Sequence, residues 1–251
     1  MDWALRFLGV GNASAVELGS AMAVIERDGV PWLTIDCGAE SLTAYRTHYG
    51  RFPDALFVTH THLDHVAGFE RLFVDSYFDA ARRGKVRLYV PAPLLPLLHK
   101  RVGDYPNALA EGGANFWDAF RVIPVGGAFW HDGVRLEVFP VRHHWPDTAF
   151  GLRLKGSMVW TGDTRPIAEM LAKFADDGEL IAHDCALHGN PSHSGIEDLE
   201  REYAPALLRR CVLYHYASAA DGEALAARGY RVAKPGETLP LAGPTAAQAA
   251  S

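Results

Sequence analysis

Short apolar runs closed by Gly, Pro or Asp recur along the chain and predict strands. The first covers 4–8 and enters Gly9-Val10-Gly11-Asn12, a tight turn lacking the third glycine and helix of a dinucleotide fingerprint. Runs at 21–26 and 31–35 flank Arg27-Asp28-Gly29, a hairpin signal. Residues 39–50 read as a helix, broken by Arg51-Phe52-Pro53-Asp54 before a strand at 55–59. Helical spacing of Phe69, Leu72, Phe73, Tyr77 and Phe78 predicts a helix over 68–83, stopped by Gly84. A strand at 86–90, a helix over 91–102 and a loop over 103–119, suited to a lid, come next. Strands then fall at 120–125, 134–141, 149–155, 157–160 and 211–214, with helices at 166–174, 195–203 and 221–228. Short strands over 230–239 close the pattern, and 241–251 reads as a frayed tail. No repeat or linker interrupts it, so one α/β domain over 1–240, with two sheets faced by helices, is expected.

The chemistry concentrates at His60-Thr61-His62-Leu63-Asp64-His65, directly after the apolar run Ala55-Leu56-Phe57-Val58. On an extended segment, i and i+2 point to one side, so His60 and His62 can grip one ion. Asp64 and His65 lie where the chain turns and can serve a second. Imidazole and carboxylate suit Zn, Mn, Fe or Ni. Further ligands are expected at other strand ends: His143 or His144, Asp163 and His215. Asp163 sits in Trp160-Thr161-Gly162-Asp163-Thr164, where the glycine permits a sharp turn. Its two oxygens can bridge ions about 3.5–4 Å apart.

Composition narrows the partners. The 251 residues are 49% hydrophobic and 22% charged, enough for a large core without staples. A formal net charge of −6 argues against a broad footprint for long nucleic acid. No apolar run of about 18 residues is present, and no membrane span is expected. Three scattered cysteines (Cys37, Cys185, Cys211) and the absence of a visible signal peptide fit reduced thiols in a cytoplasmic protein.

In these motifs and their order, the chain resembles the metallo-β-lactamase superfamily over roughly 4–240. The resemblance implies a four-layer αββα sandwich with two divalent ions, Zn foremost, at one edge. It implies His60, His62, His143 and Asp163 around the first ion, and Asp64, His65, Asp163 and His215 around the second. His143 is preferred to His144 because Pro146 and Gly151 follow it as in the ribonuclease Z-like phosphodiesterase branch. In Ile35-Asp36-Cys37-Gly38, the Asp would support the metal loop. Leu180-Ile181-Ala182-His183-Asp184-Cys185 resembles that branch's His-Glu-Ala-Thr element, with Asp184 in place of Glu, and His193-Ser194 its His-Ser element.

The implied reaction is hydrolysis of a phosphodiester by a bridging water, with Asp64 orienting the water and His183 protonating the leaving oxygen. Without an arm like the one ribonuclease Z uses to clamp transfer RNA, a small phosphodiester such as a cyclic nucleotide is expected. Trp145, following the ligand loop, and His193 are the expected substrate contacts. A lactonase or other ester hydrolase, a ribonuclease Z-like endonuclease and a non-catalytic ligand-binding regulator are the alternatives. The apolar helix at 68–83 is a candidate homodimer surface.

Overall fold

A computed structural model describes residues 1–104, 109–110 and 112–245. The N-terminal half builds one sheet. Strand β1 (Trp3–Gly9) pairs antiparallel with β2 (Met22–Arg27), which turns back into β3 (Val30–Ile35). Asp28 and Gly29 take φ of 54° and 74°, as the hairpin signal requires. Helix α1 (Ala39–Tyr49) then carries the chain to β4 (Ala55–Phe57), parallel to β3. Helices α2 (Leu63–Val66) and α3 (Phe69–Phe78) precede β5 (Val86–Pro91), and α4 (Leu95–Leu98) precedes β6 (Phe120–Val125).

The second sheet starts with β7 (Ala128–His131), β8 (Val134–Pro140), β9 (Phe150–Leu154) and β10 (Met158–Trp160). Helices α5 (Ala168–Phe174), α6 (Ile196–Glu202), α7 (Pro205–Leu208) and α8 (Ala219–Ala227) alternate with the parallel strands β11 (Leu180–Asp184), β12 (Cys211–Tyr214) and β13 (Arg231–Val232). Strand β14 (Thr238–Leu241) returns to the first sheet beside β1. The strand orders are β14-β1-β2-β3-β4-β5-β6 and β13-β12-β11-β10-β9-β8-β7. With helices outside, this is the expected αββα sandwich.

The core lies between the sheets. Phe7 of β1 packs on Trp160 of β10 (5.8 Å between ring centres) and Tyr214 of β12 (6.3 Å). Phe57 of β4 stacks on Phe129 of β7 at 5.8 Å. His131 of β7 is fully buried and also joins the sheets. Its Nε2 lies 2.8 Å from the Trp32 carbonyl and its Nδ1 2.9 Å from the Tyr89 hydroxyl. Burial pushes this imidazole down to about 4, so the folded protein holds it neutral. The folded value is depressed, so the stabilisation is fully present above the unfolded value of about 6.5 and lost as pH falls towards 4. That loss amounts to roughly 3 kcal/mol. In urea unfolding, the stability gap between the native protein and His131→Gln should narrow from about pH 7 to about pH 4. A constant gap would remove His131 as an acid-labile link.

Several elements differ from the pattern-based expectation. Helix α3 stops at Phe78, short of Gly84, because Asp79 Oδ1 accepts from the Ala81 N–H and diverts the backbone into a turn. The single helix expected over 91–102 is three pieces: a 3₁₀ turn (Ala92–Leu94), α4 and a π-helical turn (His99–Gly103). Pro93 and Pro96 sit in the first turns of two of them, where a missing N–H costs little. Strand β7 has no apolar run to mark it, because Gly126-Gly127 and Asp132-Gly133 crowd it. The start of the segment read as a tail is tied down. Leu241 pairs with Trp3, and the Thr245 N–H donates to the Lys155 carbonyl at 2.9 Å. Residues 246–251, and 105–108 and 111 of the expected lid, lie outside the described residues.

Candidate metal centre

The segments that follow β4, β8, β10 and β12 meet at one rim of the sandwich. After β4, residues 58–62 carry His60 and His62, the latter extended, and α2 then carries Asp64 and His65. After β10, Gly162 takes φ 65° and swings Asp163 inward. After β12, His215 itself takes φ 72°, unusual for a residue with a side chain, and its N–H is held by the Val10 carbonyl of the first glycine turn at 2.6 Å. Gly38 is required by close approach, since a Cβ there would lie 2.4 Å from the Asp64 carbonyl oxygen.

Two groups of four ligand atoms result. One comprises His60, His62, His143 and Asp163, the other Asp64, His65, Asp163 and His215. Within each group the ligand atoms lie within 4.8 Å of one another. Asp163 belongs to both. Its Oδ2 is 3.2 Å from Nε2 of His65 and of His215, 3.5 Å from that of His60 and 3.9 Å from that of His143. His144 belongs to neither group.

The donor set fits divalent cations on a structural test. Nε2 of His60, His65 and His215 and both carboxylate oxygens of Asp163 are buried and have no hydrogen-bond partner. Such convergent buried orphans are costly unless something cationic satisfies them. Burial would raise the Asp163 carboxyl, but His215, His65 and His60 hold it well below the usual carboxylate range. Burial likewise opposes charge on His65 and His215, yet nearby carboxylates, Asp163 foremost, raise both well above 6.5. These protons supply charge that a bound cation would replace. Burial pushes His143 down to about 4 and leaves it a neutral ligand.

The opposite ring nitrogens are fixed by the protein. His143 Nδ1–H donates to the Ser192 carbonyl at 2.9 Å. His65 Nδ1–H donates to Asp36 Oδ2 at 2.8 Å. His60 Nδ1 meets Thr59 Oγ1 at 3.1 Å, and that hydroxyl donates to Asp36 at 2.7 Å. Asp36, buried and at φ 66°, thus orients one histidine of each group and also accepts the Thr59 N–H. Asp36→Ala should weaken divalent-ion affinity by about 10–100-fold in competition with a chromogenic chelator. Unchanged affinity would deny Asp36 this role.

Residues 3–239 match the profile of a family described as Anti-Pycsar protein Apyc1. The chain belongs to the Anti-Pycsar protein Apyc1 family. The Apyc1 protein of Paenibacillus harenae is 27% identical over 224 residues, covering 86% of this chain and 91% of that one. The Apyc1 protein of Saccharibacillus brassicae is 30% identical over 203 residues, covering 78% and 82%. In fold, the chain is similar to the metallo-β-lactamase-fold protein YhfI from Bacillus subtilis. The TM-score is 0.73 at 13% identity, covering 96% of this chain and 100% of that one. The chain therefore has the metallo-β-lactamase fold.

Not every residue expected at the site of this Apyc1-family chain is brought there. His183 is fully buried and outside both groups. Its Nδ1–H donates to the Asp184 carbonyl at 2.7 Å, and its Nε2 meets the Tyr203 hydroxyl at 2.7 Å. Both ring nitrogens of the residue expected as the acid are thus engaged within the protein. The alternation of β11 turns its neighbour, Asp184, toward the site instead. Asp184 Oδ2 accepts from His193 Nδ1–H at 2.9 Å, and its Oδ1 lies 3.4 Å from His215 Nδ1. His193 stacks on His215 at 4.8 Å between ring centres and lies edge-on to His143 at 4.7 Å. Trp145 is 82% exposed and lines a cavity of about 530 Å³ with His60 and His62. The sequence marks Asp184 only as the residue in place of the family's Glu, and it does not mark Thr59. A serviceable signal was present for Asp184, an acid beside a histidine at the end of an apolar run, but not for Thr59.

Proposed function

We propose that this chain is a phosphodiesterase for a small phosphodiester, a cyclic nucleotide in class, working with two divalent ions held by His60, His62, His143 and Asp163 and by Asp64, His65, Asp163 and His215. The observation that carries the reading is the pair of four-ligand groups sharing one buried carboxylate. Bound there, the ions would supply Lewis-acid charge to the phosphoryl oxygens and lower the pKa of the attacking water. Zinc suits the donors, as do Mn, Fe and Ni.

The chain's own residues would do the rest. Asp64 lines the mouth, and burial is outweighed by its His215 and His65 contacts, so it stays ionised and can accept a proton from water. Asp184 fixes the His193 ring through Nδ1–H, which leaves Nε2 to protonate the departing oxygen. Mouth cavities of about 530 Å³ on either side of His62 suit a nucleotide-sized ligand.

The test is a side-by-side assay of Zn- or Mn-loaded protein on cyclic nucleotides, bis-(p-nitrophenyl) phosphate, a lactone panel and precursor tRNA. Turnover of cyclic nucleotides and the model diester is expected. Lactone turnover with no diester hydrolysis would overturn the reading.

A further inference from the structure

Two cavities flank His62, and they differ in chemistry. One is lined by Glu40, Asp64 and Arg101, and Glu40 accepts from the Ser20 hydroxyl at 2.6 Å. Its two carboxylates outnumber that single cation, so an anionic ligand is less favoured there than in the other. The other joins His60 and His62 to Leu97, Lys100, Arg101 and Trp145. Its walls are an exposed indole, an aliphatic side chain and two cations, with no carboxylate. Neither the Lys100 nor the Arg101 side chain has an ion pair or hydrogen bond among the described residues. For a chain of net charge −6, two unpaired cations beside the candidate reaction centre are a local reversal of sign.

Their placement is built into the fold. Both sit on the π-helical turn His99–Gly103, a local widening common at functional sites. The turn is braced by Trp117 Nε1–H, which donates to His99 Nδ1 at 3.2 Å. Gly103 allows the close fit, since a Cβ there would lie 2.3 Å from His99 Nδ1. Across the cavity, the Thr148 hydroxyl donates to the Trp145 carbonyl at 2.6 Å and pins that loop.

We infer that this lobe receives the non-reacting half of the substrate as a flat, acceptor-bearing ring stacked on Trp145, with Lys100 and Arg101 as its charged donors. These three residues then decide which phosphodiesters the site accepts. The inference rests on the phosphodiesterase reading. An indole face holds a base by stacking, and a guanidinium can donate to ring carbonyls or lie against the ring. Lys100, which lines this cavity and not the other, also draws the anion to this side of His62.

The experiment measures, by calorimetry on metal-loaded protein, binding of a nucleoside 5′-monophosphate and of ribose 5-phosphate, which keeps the phosphate and lacks the base. Trp145→Ala should weaken nucleotide binding about 5–100-fold, leave ribose 5-phosphate binding unmoved, and raise the KM for a cyclic nucleotide more than it lowers kcat. Trp145→Phe should recover most of the loss. Lys100→Ser with Arg101→Ser should weaken nucleotide binding and flatten its salt dependence. If Trp145→Ala leaves nucleotide binding unchanged, or weakens both ligands equally, the inference falls. Absence of diester turnover by the unaltered protein would sink the phosphodiesterase reading separately, because the binding comparison needs no turnover.

Discussion

Replacing Asp163 by alanine should empty the centre and lower kcat/KM by about 10³-fold or more, because the bridge and the charge balance vanish together. Its Oδ2 is the point on which His60, His65 and His215 converge within 3.5 Å. Without it, each group keeps three ligands, but the second group retains only Asp64 as a carboxylate. Asp163→Asn keeps the shape and loses the charge, so it should retain at most a fraction of the metal. Elemental analysis of dialysed protein checks the first half and turnover of a cyclic nucleotide the second. Far-ultraviolet circular dichroism confirms that the fold is intact. Two ions retained in Asp163→Ala would remove it as the bridge.

The second large effect falls on His193. If it protonates the leaving oxygen, His193→Ala should slow cyclic-nucleotide hydrolysis about 10²–10⁴-fold. The same variant should lose far less on bis-(p-nitrophenyl) phosphate, whose phenolate departs without a proton. A merely structural histidine would slow both substrates alike. His183 supplies the contrast. It is buried with both ring nitrogens engaged. His183→Ala should therefore cost about 2–4 kcal/mol in denaturant unfolding while leaving the ratio of the two activities unchanged. A shifted ratio in His183→Ala and an unshifted one in His193→Ala would reverse the assignment.

The histidines at 183 and 193 show where sequence reading reaches its limit. The fragment from Leu180 to Cys185 was legible as a strand that ends near the site, but the side of the sheet each residue faces depends on its parity. One residue of difference sends His183 to Tyr203 and Asp184 to His193 and His215. Likewise, the prolines in 91–102 could be read as helix starts, yet the π-helical turn that holds Lys100 and Arg101 depends on Trp117 and Gly103 packing against His99.

The sequence by itself determined the fold class and the candidate ligands. Alternating apolar runs specify two buried sheets, and ligand residues directly after those runs must surface at strand ends. His60, His62, Asp64 and His65 lie so close in the chain that their joint placement is nearly a local matter. The sharing of Asp163 and a supporting role for Asp36 were expected from the sequence, but the Thr59 relay between His60 and Asp36 and the fork of Asp184 were decided by tertiary structure alone. Each joins residues at least 20 positions apart in some pair, and their distances are set by how the two sheets pack around Phe7, Trp160 and Tyr214. Local chemistry names a ligand, whereas the partner that orients it comes from packing across the core.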